Sequence, residues 1–479
     1  MTMNRSLDAT RLDTPLTDQQ PPSPRHRNVE RLLNGSIPGT LARLAAPNVI
    51  VFLLGSGVTV AEMWFVGQLG TTALAGLALG YPMFMLMMML SAGSMGGAMA
   101  AAVARAVGAG QTRKAEDLGW HALLLALAGS ALFALAYLFF GPAFYAFLGG
   151  RGETLAAAIA YSDVALVGGF VMWLANALSS ILRGSGDMKT PALAMFLAAA
   201  LQIPLSAVLT LGWGPIPSLG IAGVAWGALA ALAASATFMV YRLSTVSDED
   251  GGLRLPLALP RPRWELFREI LDVGAVASLS PVLTVATVII LTGLISRFGD
   301  AALAGFGIAS RLEFLLIPII FGIGAALIAM VGANIGGGQL ARAHRIAWTG
   351  GFAAALIAGA IGIVTSLWPE AWAGIFTDTP AVLMAATAYL TIVGPFYAFH
   401  GLGLSLYFAS QGAGTVIWPV AFTAVRLLVT AGGGFLAVHV FELGFGALPV
   451  FVAAGMVVFG LGTAASIYGG AWRRGAAVH

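Results

Sequence analysis

The sequence predicts an all-α integral membrane protein, with twelve transmembrane helices in two pseudo-symmetric six-helix bundles. Three observations predict it. Of the 479 residues 58% are hydrophobic and only 9% charged, with a mean hydropathy of +0.88, whereas about a quarter of the residues of a soluble domain carry charge. Apolar runs of about 20 residues, long enough to cross a bilayer as helices, recur six times in each half. The second half also repeats the first. GTTALAG at Gly70–Gly76 returns as GDAALAG at Gly299–Gly305, 229 residues on. GAGQTRKA at Gly108–Ala115 returns as GGGQLARA at Gly336–Ala343, 228 residues apart at the glutamines, and RGSGD around Gly186 pairs with SQGAG around Gly412, 226 residues on.

Taken in order, residues 1–36 contain Pro21, Pro22, Pro24 and mixed charges without the apolar core of a signal peptide, and read as a disordered cytoplasmic tail. The N-terminal bundle, 37–246, holds runs at Ala42–Gly67, Thr72–Ala106, Trp120–Phe147, Leu155–Leu182, Pro191–Trp213 and Ile221–Leu243. Residues 247–269 form a polar cytoplasmic linker with Pro256, Pro260 and Pro262, leading into a short amphipathic surface helix. The C-terminal bundle, 270–479, holds runs at Val273–Arg297, Leu303–Ile335, Ile346–Trp368, Val382–Phe408, Val416–Val440 and Leu448–Tyr468.

Orientation follows from lysine and arginine, which favour the cytoplasmic side. Arg25, Arg27, Arg31 and Arg43 precede helix 1, Arg113 and Lys114 follow helix 2, and Arg183 and Lys189 follow helix 4. Arg254, Arg261, Arg263 and Arg268 follow helix 6, Arg342 and Arg345 follow helix 8, and Arg473 and Arg474 follow helix 12. The opposite loops carry only Arg151 and Arg297, with Arg311 ambiguous. Both termini are therefore expected in the cytoplasm of a multi-pass protein of the inner cell membrane. The basic residues sit in loops rather than in a patch, so no nucleic-acid partner is expected. With no cysteine there is neither a disulfide nor a thiolate site, and no cofactor is expected.

Five segments in order resemble one family. NGSIPGTLARLAAPN before helix 1, FVGQLGTTALAG after it, VARAVGAGQTRKA ending helix 2, LRGSGDMKTP after helix 4 and SLGIAGVAWG entering helix 6 are similar to the MATE transporters, the multidrug and toxic compound extrusion family. SRLEFLLIP in helix 8 and VRLLVT in helix 11 resemble its DinF-like branch. The resemblance runs from about Asn34 onward. It implies a MATE-like pair of bundles facing a central cavity, with export of amphipathic, often cationic organic molecules in exchange for protons or sodium. The duplicated plan agrees, because repeat-built transporters bind substrate between their halves.

An ionisable side chain at membrane depth is costly and is a functional candidate by default. Glu62 lies late in helix 1, 19 residues beyond Arg43 and so roughly 28 Å along the helix. Gly55, Val58 and Thr59 lie one to two turns away on its face and leave room for water or an ion. A carboxyl group there can alternate between protonated and charged forms as access alternates. A glutamate permanently paired with a base, or reaching the outer surface, is the alternative. In the family this position is commonly an aspartate implicated in cation coupling. His400 in helix 10 is a second coupling candidate, since histidine exchanges protons near neutral pH; its alternative is a neutral, hydrogen-bonded core histidine. The substrate cavity is expected among Asn48, Thr59, Met85, Gln202, Ser206, Thr284 and Arg426. The methionine run around Met85 suits a pliable wall but equally a lipid or core face, and Arg426 equally serves as a buried counter-charge. Glu313, Arg311 and Asp163 are read as interface anchors.

Two acids that the resemblance would imply are missing, one that archaeal relatives often carry in helix 5 and one that sodium-coupled relatives carry in helix 7. The turn at Gln202–Ser206 has no aspartate, and helix 7 has no acid between Asp272 and Asp300, where the count lands near Thr284. Without that oxygen cage, protons are the expected coupling ion. No HExxH, GxSxG or Walker A motif supports an enzyme, and the repeat fits alternating access better than a channel. A lipid-linked precursor flippase would call for several basic residues at depth, where only Arg426 is clear. A solute uptake carrier remains an alternative. A single chain, working as a monomer in contact with lipid, is expected to move a small organic molecule against the coupling ion.

Overall fold

The computed structural model describes residues 24–245, 253–255 and 261–476. Among the described residues twelve long helical segments form the bundle: α1 (Ile37–Gly67), α2 (Thr71–Gly108), α3 (Thr112–Phe147), α4 (the pair Gly152–Val167 and Phe170–Gly184), α5 (Lys189–Leu211), α6 (Ala222–Thr245), α7 (Trp264–Phe298), α8 (Asp300–Gly336), α9 (Leu340–Leu367), α10 (Pro380–Ala413), α11 (Ile417–His439) and α12 (Ala447–Tyr468). Eleven are long and apolar enough to span a bilayer as single helices. The remaining one, α4, bends by 43° between Val167 and Phe170.

The backbone carries the repeat more faithfully than the side chains. Gly70 enters α2 at φ 107°, ψ 173°, and Gly299 enters α8 at φ 91°, ψ 173°. Gly110 and Gly338 follow α2 and α8 at φ 72° and 71°. The third pair needs a correction: the partner of Gly186 (φ 89°) is Gly414 (φ 80°), not Gly412, which restores a spacing of 228. These left-handed turns favour glycine because any side chain is strained there.

Helix breaks repeat by different means. A π-helical stretch at Met89–Met95 interrupts α2, and the matching point of α8 carries Pro318. Pro204 in α5 is matched by a π-helical stretch at Leu428–Gly432 in α11. The bend of α4 is matched by a 3-10 turn at Gly394–Phe396 in α10. Both devices interrupt the i to i−4 ladder, so the interruption was kept while its chemistry diverged.

The two bundles meet at the end that bears the loops after even-numbered helices, here the even-loop end. Residues 96–104 of α2, 322–334 of α8, 177–184 of α4 and 405–412 of α10 are buried without interruption. Most residues in the α2 and α8 stretches are alanine or glycine, which let helices approach closely in lipid. A side chain on Gly108 would overlap the backbone of Ala333, and one on Gly336 that of Arg105. These two contacts exchange under the 228-residue shift, so α2 and α8 cross on the pseudo-twofold axis. Among the described residues, no atom beyond the local helix backbone lies within 4 Å of where a Cβ would sit on Gly55 of α1, or on Gly93 beside the seam.

Polar groups lock this seam. Gln411 of α10 donates to the Gly93 carbonyl at 3.2 Å, and Ser94 donates to the Ala277 carbonyl of α7 at 3.1 Å. Glu269 of α7 accepts from Lys114 at 2.9 Å and lies 3.7 Å from Arg105, which also reaches the Gly412 carbonyl at 3.4 Å. Arg183, expected in a loop, is instead 5% exposed, donates to Ser179 and lies over the ring of Phe321 from the other bundle. Glu269→Gln should lower the melting temperature by a few degrees, because the pair is partly exposed and worth about 1 kcal/mol. An unchanged melting curve would contradict this.

Two segments depart from expectation. Residues 1–23 lie outside those described, but Pro24–Asn34 is a helix, not part of an unstructured tail. Residues 246–252 and 256–260 also lie outside. Between them, buried Leu253 and Leu255 pack on the first bundle, with Leu255 N–H donating to the Leu243 carbonyl at 3.0 Å. The expected surface helix is not separate, since α7 starts at Trp264 and packs its first half against α2 and α3.

Candidate functional site

Gln202 and Ser206 are four apart on α5, so they share a face, and that face meets Glu62 of α1. Gln202 Nε2 donates to Glu62 Oε1 at 2.7 Å, and Ser206 Oγ donates to the same oxygen at 3.1 Å. Ser206 also reaches the Val224 carbonyl of α6 at 3.4 Å, and Gly227 of α6 lets that backbone come close. Tyr161 of α4 is buried nearby and electrostatically coupled to Glu62. Oε2 of Glu62 has no hydrogen-bond partner among the described residues, and no basic side chain there lies within 4.0 Å. The permanently paired reading of Glu62 therefore finds no partner. A half-buried carboxyl group with one oxygen held and one open can take up and release a proton, because its anion is stabilised by donors and its neutral form by burial.

The other expected residues are placed as follows. Thr59, one turn below Glu62, is half-buried and bonds back to the Gly55 carbonyl at 3.2 Å. Met85 is half-buried on α2, but its run does not form one wall: Met87 is 1% exposed in the core and Met88 is 40% exposed. Thr284 is half-buried on α7 and bonds to the Ser280 carbonyl at 2.9 Å. Asn48 requires a correction. It is 1% exposed and donates to the Leu44 carbonyl at 3.0 Å and to Met188 Sδ at 3.5 Å, tying α1 to the start of α5, so it lines no cavity.

His400 and Arg426 lie in the second bundle, in a cluster that sequence reasoning missed. Glu313 of α8 accepts from Tyr389 at 2.8 Å and Tyr397 at 3.5 Å, both on α10. Arg426 lies over the Phe459 ring and interacts electrostatically with Glu313 and His400. His400 is 8% exposed, and its Nδ1 has no hydrogen-bond partner among the described residues. Glu313 is thus held inside one bundle rather than at the interface, while Arg311 is exposed over Phe376. Asp163 accepts from Tyr137 at 2.7 Å and lies on an exposed stripe of α4, not at the interface. Glu313 is the repeat mate of Met85 and Tyr389 that of Tyr161, each 228 residues on. That pairing was the available signal. Among the described residues no three His, Asp or Glu side chains form a metal cluster.

Tyr389→Phe removes the nearer hydrogen-bond donor to Glu313 and leaves the 3.5 Å hydrogen bond from Tyr397. Loss of a hydrogen bond to a buried charged group costs about 1.5–3 kcal/mol, so a melting temperature several degrees lower is expected. Equal melting of variant and parent would show that the contact contributes little.

The paired geometry points to a duplicated transporter, and comparison with known proteins decides which. The family model MatE matches residues 47–208 and 277–436, once on each half. The chain belongs to the MatE family. Its repeat, its two bundles and its membrane helices are those of a multi-pass MATE transporter. The chain is similar to a probable multidrug resistance protein NorM of Thermotoga maritima, 27% identical over 411 residues, 84% of this chain and 86% of that one. It is also similar to an FAD transporter of Shewanella oneidensis, 26% identical over 380 residues, 79% of this chain and 82% of that one. A crystal structure of MATE in complex with MaD3S superposes with a TM-score of 0.84 at 26% identity, covering 94% of this chain and 99% of that one. The MatE matches stop short of Pro24–Asn34 and of α12.

Proposed function

We propose that this MATE transporter exports amphipathic organic compounds, cations among them, from the cell in exchange for protons taken up at Glu62. The observation that carries the reading is the carboxyl group of Glu62, with Oε1 held by Gln202 and Ser206 and Oε2 open, on the helix whose Gly55 faces empty space. Likeness to a probable multidrug resistance protein supports organic cargo. The absence of an acid at Gln202–Ser206 of α5, and of one between Asp272 and Asp300 in α7, leaves little for sodium, which prefers several hard oxygens.

By the bias of lysine and arginine the even-loop end is cytoplasmic, and both termini lie there. The end of α1 that carries Glu62 is then the outer one, and Glu62 meets external protons. A proton on Oε2 removes the charge that Gln202 and Ser206 serve, weakens the tie between α1 and α5, and biases the bundles toward the inward-open arrangement, where cargo is loaded. The bundles 37–246 and 270–479 are the two moving bodies. Each supplies one wall, so a single chain in the lipid bilayer suffices, with no cofactor. His400 and Arg426 act from the second bundle as the responding groups.

Uptake of a fluorescent lipophilic cation into inside-out vesicles tests this, with a proton gradient and a sodium gradient applied separately. Accumulation driven by protons is expected. Accumulation driven by sodium, with no dependence on pH, would defeat the proton reading. FAD as a second probe shows whether a dinucleotide is cargo instead.

A further inference from the structure

Among the described residues the helix Pro24–Asn34 has no counterpart one repeat on, and it lies across the seam on which the duplicated plan depends. Its apolar residues Val29, Leu32 and Leu33 fall at helical spacing, while Glu30 and Arg31 remain exposed. Val29 packs against the core that centres on the first bundle, and Leu32, 2% exposed, belongs to that of the second. Leu32 also comes within 3.0 Å of the Cβ position of Gly186 in the turn before α5, and Leu33 within 3.1 Å of that of Gly337 after α8. Asn334, wholly buried at the end of α8, donates to the Leu32 carbonyl at 3.0 Å, and Arg342 of α9 donates to the Gly35 carbonyl. The repeat mate of Asn334 is Ala106, which has no side-chain donor. The first half therefore has no side-chain donor at the matching position.

We infer that Pro24–Asn34 is a strap that holds the even-loop end shut and must leave the seam before that end opens. The crossing of α2 and α8 lies beneath it, so the bundles cannot part there while Leu32 touches both Gly186 and the end of α8. Its hold is small by construction: a few apolar side chains, one amide hydrogen bond and one guanidinium contact. Such a contact can be released in every cycle, unlike the alanine and glycine crossing itself. The inference rests on the alternating access of the proposed function, but its test needs no transport.

The chain has no cysteine, so a single Ala104→Cys reports on the seam. Ala104 is 0% exposed and faces Gly332 across the crossing. Its reaction with a water-soluble maleimide is measured on the purified full chain, alone and combined with Leu32→Asp or with Asn334→Ala. Asn334→Ala removes the hook without adding charge, and carries the test if Leu32→Asp does not fold. A rate at least about fivefold higher is expected on weakening the strap, the effect of a modest population shift. Equal rates in a folded Asn334→Ala protein would overturn the strap. Faster labelling in a protein that moves no substrate would keep the strap and remove the exporter reading, and proton-driven transport with unchanged labelling would do the reverse.

Discussion

Glu62→Gln is expected to abolish proton-driven transport while leaving the fold intact. The substitution is nearly isosteric, and Gln202 and Ser206 can still donate to its amide oxygen, so the melting temperature should stay within a few degrees of the parent. What disappears is the exchangeable proton. A loss of at least about a hundredfold in rate is expected, about 2.7 kcal/mol, together with loss of the dependence of rate on external pH. Sign follows from the proposed cycle: parent transport slows as external pH rises, because fewer carboxyl groups at Glu62 are protonated, and the variant shows a flat profile. Glu62→Asp keeps the acid and should retain measurable transport. Vesicle assays across a range of external pH decide this, and a variant that follows the parent profile would move coupling elsewhere.

The second large effect is expected at the crossing of α2 and α8. Gly108→Leu and Gly336→Leu each drive a side chain into the backbone of the opposite helix, where nothing flexible can give way. Overpacking a tight site costs about 1–3 kcal/mol, and here the whole penalty falls on the arrangement with the even-loop end closed. Transport should stop in both variants, and the seam should label as an open one does. Because the two contacts exchange under the repeat, the variants should behave alike. Normal transport by either would show that the crossing need not close so tightly.

Much of the architecture was legible because a bilayer imposes simple rules. Length and hydropathy suffice to find helices where the backbone must satisfy itself, and the repeated glycine turns at Gly70 and Gly299 exposed the duplication. The meeting of Gln202 and Ser206 with Glu62 was partly legible, since four-residue spacing fixes a shared face. Which neighbour a face meets is a matter of tertiary packing, and sequence does not carry it. Asn48 looked like a cavity residue because it is polar at depth, yet it satisfies itself against the Leu44 carbonyl and Met188. Glu313 was misplaced for the opposite reason: its partners Tyr389 and Tyr397 lie 76 and 84 residues away on α10. Proline and charge near the N-terminus hid a short amphipathic helix, because three apolar residues look unremarkable until a seam between bundles is there to receive them.

Proton release on binding tests the central claim most directly. A lipophilic cation is added to the purified protein in weakly buffered detergent solution, and the change in pH is read for the parent and for Glu62→Gln. Release of protons on addition of the cation to the parent, and none from Glu62→Gln, is the predicted result. Equal release from both proteins, or binding to the parent without any release, would contradict exchange at Glu62.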